Sequence, residues 1–207
     1  MSLTKDIFRQ SSGLAQFAKG YFQCLGQLLE GLDLKAIEAF VDQLEQAREA
    51  GNTVFIVGNG GSAATAAHMA NDLATDVLRK ARGGKPFRVW ALTDSVPCLT
   101  AIANDECYEN IFLNQLKIHY RPGDKLIAIS ASGNSPNVVA AARWVKEAGG
   151  AVMGMLGFDG GRLKEFCDVA IHAQTPAGDY GPVEDIHVII DHLISNWLIY
   201  KSGAASR

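Results

Sequence analysis

Between residues 53 and 173 the sequence alternates short β-branched runs with helical patterns, and few folds satisfy such an alternation. Thr53–Val57, Phe87–Leu92, Lys125–Ser130, Ala151–Leu156 and Val169–Ala173 read as buried strands, because each is a short apolar run bounded by turn residues. Helical patterns fill the gaps over about 61–79, 95–103, 108–119, 136–148 and 161–165, and a final apolar helix covers about 182–200. Strands that recur with a helix between them pair in parallel, with helices on both faces. The expectation is an α/β domain built on a five-stranded parallel sheet.

Two amphipathic helices precede the first strand, over 4–30 and 33–50. Leu14, Phe17, Ala18, Tyr21, Leu25 and Leu28 recur at three- and four-residue steps, as do Ile37, Phe40, Val41 and Leu44. Gly31 separates the two, Asp33 is placed to cap the second, and Gly51-Asn52 ends it. Neither helix is a crossover between strands, so its apolar face needs another partner: a second subunit, or a fold back across its own domain. We therefore divide the chain into an oligomerising hairpin, 1–50, and an α/β domain, 51–207.

Composition narrows the function classes. A net charge of −3 with dispersed Lys and Arg gives no general affinity for nucleic acid or an anionic membrane. No apolar run reaches spanning length and no signal peptide is visible, so cytoplasmic residence is expected. Cys24, Cys98, Cys107 and Cys167 lack CxxC spacing and read as reduced, half-buried thiols.

Two loops carry chemistry. Gly58-Asn59-Gly60-Gly61-Ser62 follows the first strand and opens a helix, where glycines admit close approach and free N–H groups favour an anion. Gly58, Gly60 and Ala63 also fit a dinucleotide loop, and Asp94 could serve as its acidic partner; the P-loop lysine is missing. The second loop, Ser130-Ala131-Ser132-Gly133-Asn134-Ser135, follows the third strand, with Pro136 suited to the first turn of the next helix. Two such loops after two parallel strands favour one phosphate held by hydroxyls and backbone N–H groups, with no nucleotide cofactor.

His68 and Asp72 lie one turn apart on the helix that leaves the first loop. Glu184 and His192, eight residues apart, share a face of the last helix. Together they could form a His/Asp/Glu/His site for Zn²⁺ or a similar divalent ion, or an acid–base set. A further pair, His187 and Asp191, lies on a different face, so such spacing also arises without a site; His119 and His172 read as edge residues.

GNGGSAA-x₃-H, SASGNS and E-D-I-H-x₄-H resemble the sugar-isomerase (SIS) domain family, within it the bacterial phosphoheptose isomerases. The resemblance covers nearly the whole chain, including 91-ALTDSVPCLTAIANDECYE-109. It implies a flavodoxin-like three-layer sandwich and a homotetramer that converts sedoheptulose 7-phosphate to D-glycero-D-manno-heptose 7-phosphate, a step toward lipopolysaccharide or capsule heptose. It implies phosphate contacts from Asn59, Gly60, Ser62, Ser130, Ser132 and Ser135, and a substrate contact from Asp94. His68, Asp72, Glu184 and His192 fall at its metal and acid–base positions, where His, Glu, Gln and His are usual. An enediol route needs a base at carbon and an acid at oxygen, the roles of Asp72 and His192. Gly181-Pro182 replaces the family's Asp-Arg, and Asp76 stands where a basic residue is expected. A different class of SIS protein binds a replication initiator without catalysis and lacks the quartet; a sugar-phosphate-sensing regulator would need a DNA-binding module, for which no helix-turn-helix signal exists.

Overall fold

The computed structural model describes residues 2–80 and 85–204. Five strands form one wholly parallel sheet: β1 (Thr53–Val57), β2 (Arg88–Ala91), β3 (Lys125–Ser130), β4 (Ala151–Gly157) and β5 (Val169–Ala173), in the order β2-β1-β3-β4-β5. This is the expected fold class. Successive side chains point to opposite faces, so each strand feeds two cores. Val54, Ile56, Ile127, Ile129, Met153 and Met155 pack on one face, under α3 (Leu34–Ala50), α4 (Gly61–Asn71) and α9 (Tyr180–Ala204). Phe55, Val57, Leu126, Ala128 and Val152 face the other side, under α7 (Leu113–His119), α8 (Pro136–Glu147) and the turns around Ile111 and Leu163; α6 (Val96–Asp105) lines its rim.

The amino-terminal region departs from the two-helix reading. Its first helix is two, α1 (Leu3–Gln10) and α2 (Leu14–Glu30), broken at Ser11-Ser12-Gly13. Ser12 donates from its N–H and its hydroxyl to the Gln16 side chain at 2.8 and 2.9 Å, a local bond that competes with helix continuation. α1 then folds back on α2, with Phe8 edge-on to Phe17 at 6.3 Å. Gly20 permits this, since a Cβ there would stand 2.7 Å from Ile7 Cγ2. The start of α1 is pinned by Asp179, a buried carboxylate that accepts from Ser2 Oγ, Thr4 Oγ1 and the Leu3 and Thr4 N–H groups. By contrast α3 belongs to the body of the domain: Ile37, Phe40, Val41, Leu44 and Ala47 are all buried in the first core. Asp33 caps it by accepting from the Lys35 N–H at 2.9 Å, and Gly51 ends it in the left-handed conformation.

Smaller differences have local causes. The helix after β1 contains one π turn, Asp72–Asp76, in which the Val77 N–H reaches back to the Asp72 carbonyl, and resumes as α5 (Val77–Lys80). The stretch 108–119 divides into a 3₁₀ turn at Tyr108–Asn110 and α7. Arg162–Phe166 is likewise 3₁₀. Of the four free cysteines, Cys107 is exposed and the others are half-buried. Among the described residues no helix is long and apolar enough to cross a membrane.

Two glycines test the loop packing. Gly133 has φ +63°, and a Cβ there would stand 1.9 Å from the Gly160 carbonyl oxygen; Gly149 has φ +76° with open space around it. Gly149→Ala should cost about 1 kcal/mol, the penalty for a left-handed residue. Gly133→Ala should cost several times that, because two backbones must separate, and thermal unfolding of the two variants will show the difference.

Candidate active site

The strand order reverses at β1. The chain leaves it through α4 on one face to reach β2, then crosses the other face to β3 on its far side. Loops that depart from neighbouring parallel strands in opposite directions leave a crevice at the carboxyl ends of those strands. Both serine-bearing loops, after β1 and after β3, open there.

The first loop is closed by tight backbone packing. A Cβ at Gly58 would lie 2.7 Å from the Ser62 carbonyl oxygen, so only glycine lets the strand turn directly into the helix. Gly60, at φ +53°, is the cap of α4 and supplies no side chain to its free N–H groups. The helix therefore presents an uncapped positive end. Ser62 is buried in the first turn. In the second loop the Ser130 hydroxyl accepts from the Gly133 N–H at 3.1 Å, and the Ser132 hydroxyl from the Asn134 N–H at 3.2 Å. Ser135 stands at the cap position of α8 with its hydroxyl unused for capping. Asp94 is exposed on the loop after β2, at the same end of the sheet.

Asn59 joins the two loops. It exchanges two 2.8 Å hydrogen bonds with Asn137, Nδ2 of each donating to Oδ1 of the other, and the Tyr108 hydroxyl donates to Asn59 Oδ1 at 3.0 Å. Asn137 and Tyr108, which the sequence reading did not single out, are thereby brought against the first loop. An asparagine just inside a helix is unremarkable in sequence; its burial to 1% exposure is what marks it.

The reacting end lies further along α4. His68 Nε2 is 3.1 Å from His192 Nε2 and 3.4 Å from Asp72 Oδ2. One ligand atom from each of these three residues falls within 4.8 Å of the others. The π turn begins at Asp72, and such one-residue insertions re-aim side chains at functional sites. The two helices run side by side in the same sense, so Gly61 meets Glu184 and, about two turns further along both, His68 meets His192. Glu184 is thus apart from the trio: its carboxylate rests against Gly61 and lines, with Thr65, His68 and Val188, a shallow cavity of about 280 Å³. Asp76 pairs with Arg79 and Lys80 on its own helix surface.

The trio suits a divalent cation. Spacings of 3.1 and 3.4 Å match the edge of a tetrahedron with bonds near 2 Å, about 3.3 Å. Beside it, Asp191 is fully buried with neither carboxylate oxygen hydrogen-bonded. Burial and then the neighbouring Asp72 charge push its carboxyl up to about 7. One turn back, His187 is buried, with Nε2 3.2 Å from the Leu156 carbonyl and Nδ1 unpartnered. Burial, opposed by that carbonyl contact, brings its imidazole down to about 4. His119 lies tilted against Trp90 with centroids 4.4 Å apart, and His172 contacts backbone carbonyls, both away from the trio.

Comparisons with known proteins agree with this geometry. Residues 20–157 match the family model described as SIS domain. The chain is 39% identical over 145 residues to the phosphoheptose isomerase of Rhodospirillum rubrum, covering 70% of this chain and 74% of that protein. It is 41% identical over 162 residues to that of Mycobacterium tuberculosis, covering 78% and 80%. The solved phosphoheptose isomerase from Neisseria gonorrhoeae superposes with a TM-score of 0.76 at 27% identity, over 89% of this chain and 95% of that one.

His187 and Asp191 predict an opposed pH response in chelator-treated protein. An imidazole whose folded value lies below its unfolded 6.5 withdraws stability as pH falls from about 6.5 to about 4. A carboxyl whose folded value lies above its unfolded 3.8 withdraws stability as pH rises from about 4 to about 7. The two slopes, each up to about 1.4 kcal/mol per pH unit, largely cancel in the native chain. Denaturant unfolding across this range should show His187→Gln losing stability toward neutral pH and Asp191→Asn losing it toward acid. Serine loops at the β1/β3 crevice, a His/Asp/His cluster and the sequence matches together place this chain in the SIS domain family, among the phosphoheptose isomerases.

Proposed function

We propose that this chain is a ketose–aldose isomerase acting on sedoheptulose 7-phosphate and yielding D-glycero-D-manno-heptose 7-phosphate. The observation that carries the reading is the pairing, along one helix, of an uncapped anion-binding end at Gly60 with a His/Asp/His cluster two to three turns further on. In this reading the phosphate takes hydrogen bonds from Ser62, Ser130, Ser132, Ser135 and the backbone at Gly60, with Asn59 and Asp94 nearby. Its charge is favoured by the α4 dipole. A sugar phosphate fits this arrangement without a nucleotide cofactor.

The chemistry is a proton relocation between neighbouring carbons. Asp72 takes the proton from the hydroxymethyl carbon beside the ketone, and the C–H electron pair forms the enediol double bond. His192 gives a proton to the carbonyl oxygen as the carbonyl π bond breaks. The reverse transfers, with the proton returned to the former carbonyl carbon, complete the aldose. Asp72 is suited to this task by its side chain, only 13% exposed and held beside His68. His68, Asp72 and His192 would hold Zn²⁺ or a similar ion, with Glu184 as the fourth candidate ligand, and the acid–base work would fall to the atoms of Asp72 and His192 that do not ligate it. Such an ion would supply Lewis-acid polarisation of the carbonyl.

Assembly and location follow the same reading. Phe8, Leu14 and Phe22 on α1 and α2, with Trp197 and Tyr200 on α9, are exposed apolar side chains of a kind that a homotetramer would cover. The proposed setting is the cytoplasm, with no membrane or nucleic-acid partner.

Purified protein should interconvert the two heptose phosphates, and Asp72→Asn or His192→Ala should lower kcat at least a hundredfold. Activity that survives both substitutions would overturn these roles. Metal analysis should find about one divalent ion per chain, lost in His68→Ala.

A further inference from the structure

Tyr108 is 59% exposed, yet its hydroxyl is committed to the anion loop. It sits on the 3₁₀ turn after α6, an element that contributes neither serine loop. That commitment settles the orientation of two amides. The Val138 N–H donates to Asn137 Oδ1 at 3.0 Å, which fixes which end of the Asn137 amide is oxygen. Asn137 in turn fixes Asn59 through their reciprocal bonds. Asn59 Oδ1 then holds two donors, Asn137 Nδ2 and the Tyr108 hydroxyl, and is saturated. Asn59 Nδ2 spends one hydrogen on Asn137 and keeps one for a ligand. A flipped Asn59 amide would set NH₂ against NH₂ and oxygen against oxygen across the Asn137 pair, while the Tyr108 hydroxyl adds a second bond that holds the Asn59 side chain in place.

We propose that Tyr108 is a positioning residue for the phosphate end of the substrate, tethering the turn after α6 to the Asn59–Asn137 pair so that the remaining Asn59 N–H stays available to the anion. The inference rests on the phosphate-site reading above. Tyr108 touches neither the His/Asp/His cluster nor any reacting atom, so its effect belongs to binding and not to the proton transfers. One hydrogen bond on a half-exposed group corresponds to a change of about three- to tenfold.

The test is Tyr108→Phe, which removes the hydroxyl and keeps the ring. KM for sedoheptulose 7-phosphate and the competitive inhibition constant of inorganic phosphate should both rise about three- to tenfold, with kcat within about twofold and the thermal midpoint unchanged. An unchanged inhibition constant would overturn the proposal, as would a fall in kcat or in thermal midpoint without a rise in that constant. Ser132→Ala, measured alongside, separates the two layers. If Ser132→Ala raises the phosphate constant and Tyr108→Phe does not, only the role of Tyr108 fails. If neither substitution moves it, the phosphate-site reading fails with it.

Discussion

Every functional element of this molecule hangs on the reversal of strand order at β1. Because β2 and β3 flank β1, the chain must leave the sheet on one face and return on the other, and nothing can fill the gap between the departing loops except a ligand or the loops' own side chains. The Asn59–Asn137 amide pair spans that gap. Glycine at 58 lets α4 start without a spacer, and glycine at 133 lets the second loop press against Gly160. Backbone geometry, more than side-chain chemistry, makes the crevice.

α9 carries a disproportionate share of the site. Its inward side supplies Ile186, Ile190, Ile194 and Leu198 to the core, while His192 completes the cluster with α4 and Glu184 meets Gly61. Asp191 sits between these duties, buried and without a hydrogen bond, beside the acidic partner of the cluster. A buried carboxyl group left without a hydrogen bond costs stability. The SIS-domain match ends at Gly157, so α9 and the histidine it brings to the cluster lie outside the matched region.

The sequence was a good guide wherever local periodicity and backbone chemistry act together. All five strands, the capping of α3 by Asp33 and the two serine loops follow from residue type and spacing. The grouping of His68, Asp72 and His192 was legible for the same reason, since helical spacing sets faces. What escaped were features decided by tertiary contact. The break at Ser11-Ser12-Gly13 sits in an otherwise continuous pattern, and only the fold-back of α1 onto Gly20 gives it a purpose. The π turn at Asp72 leaves no compositional trace. Asn137 and Tyr108 are ordinary residues until two loops and a turn are brought within hydrogen-bond distance.

The clasp between Asp179 and the first turn of α1 joins residues that are 175 to 177 positions apart. Closing so long a loop costs only modestly more than closing one half as long, but it is a slow contact to find. α9 starts one residue after Asp179 and brings His192, one of the three clustered residues, so its final seating belongs late in folding, after the sheet has formed. The anion crevice would then close early around β1 and β3, and the cluster further along α4 would be completed last, when His192 reaches His68 and Asp72.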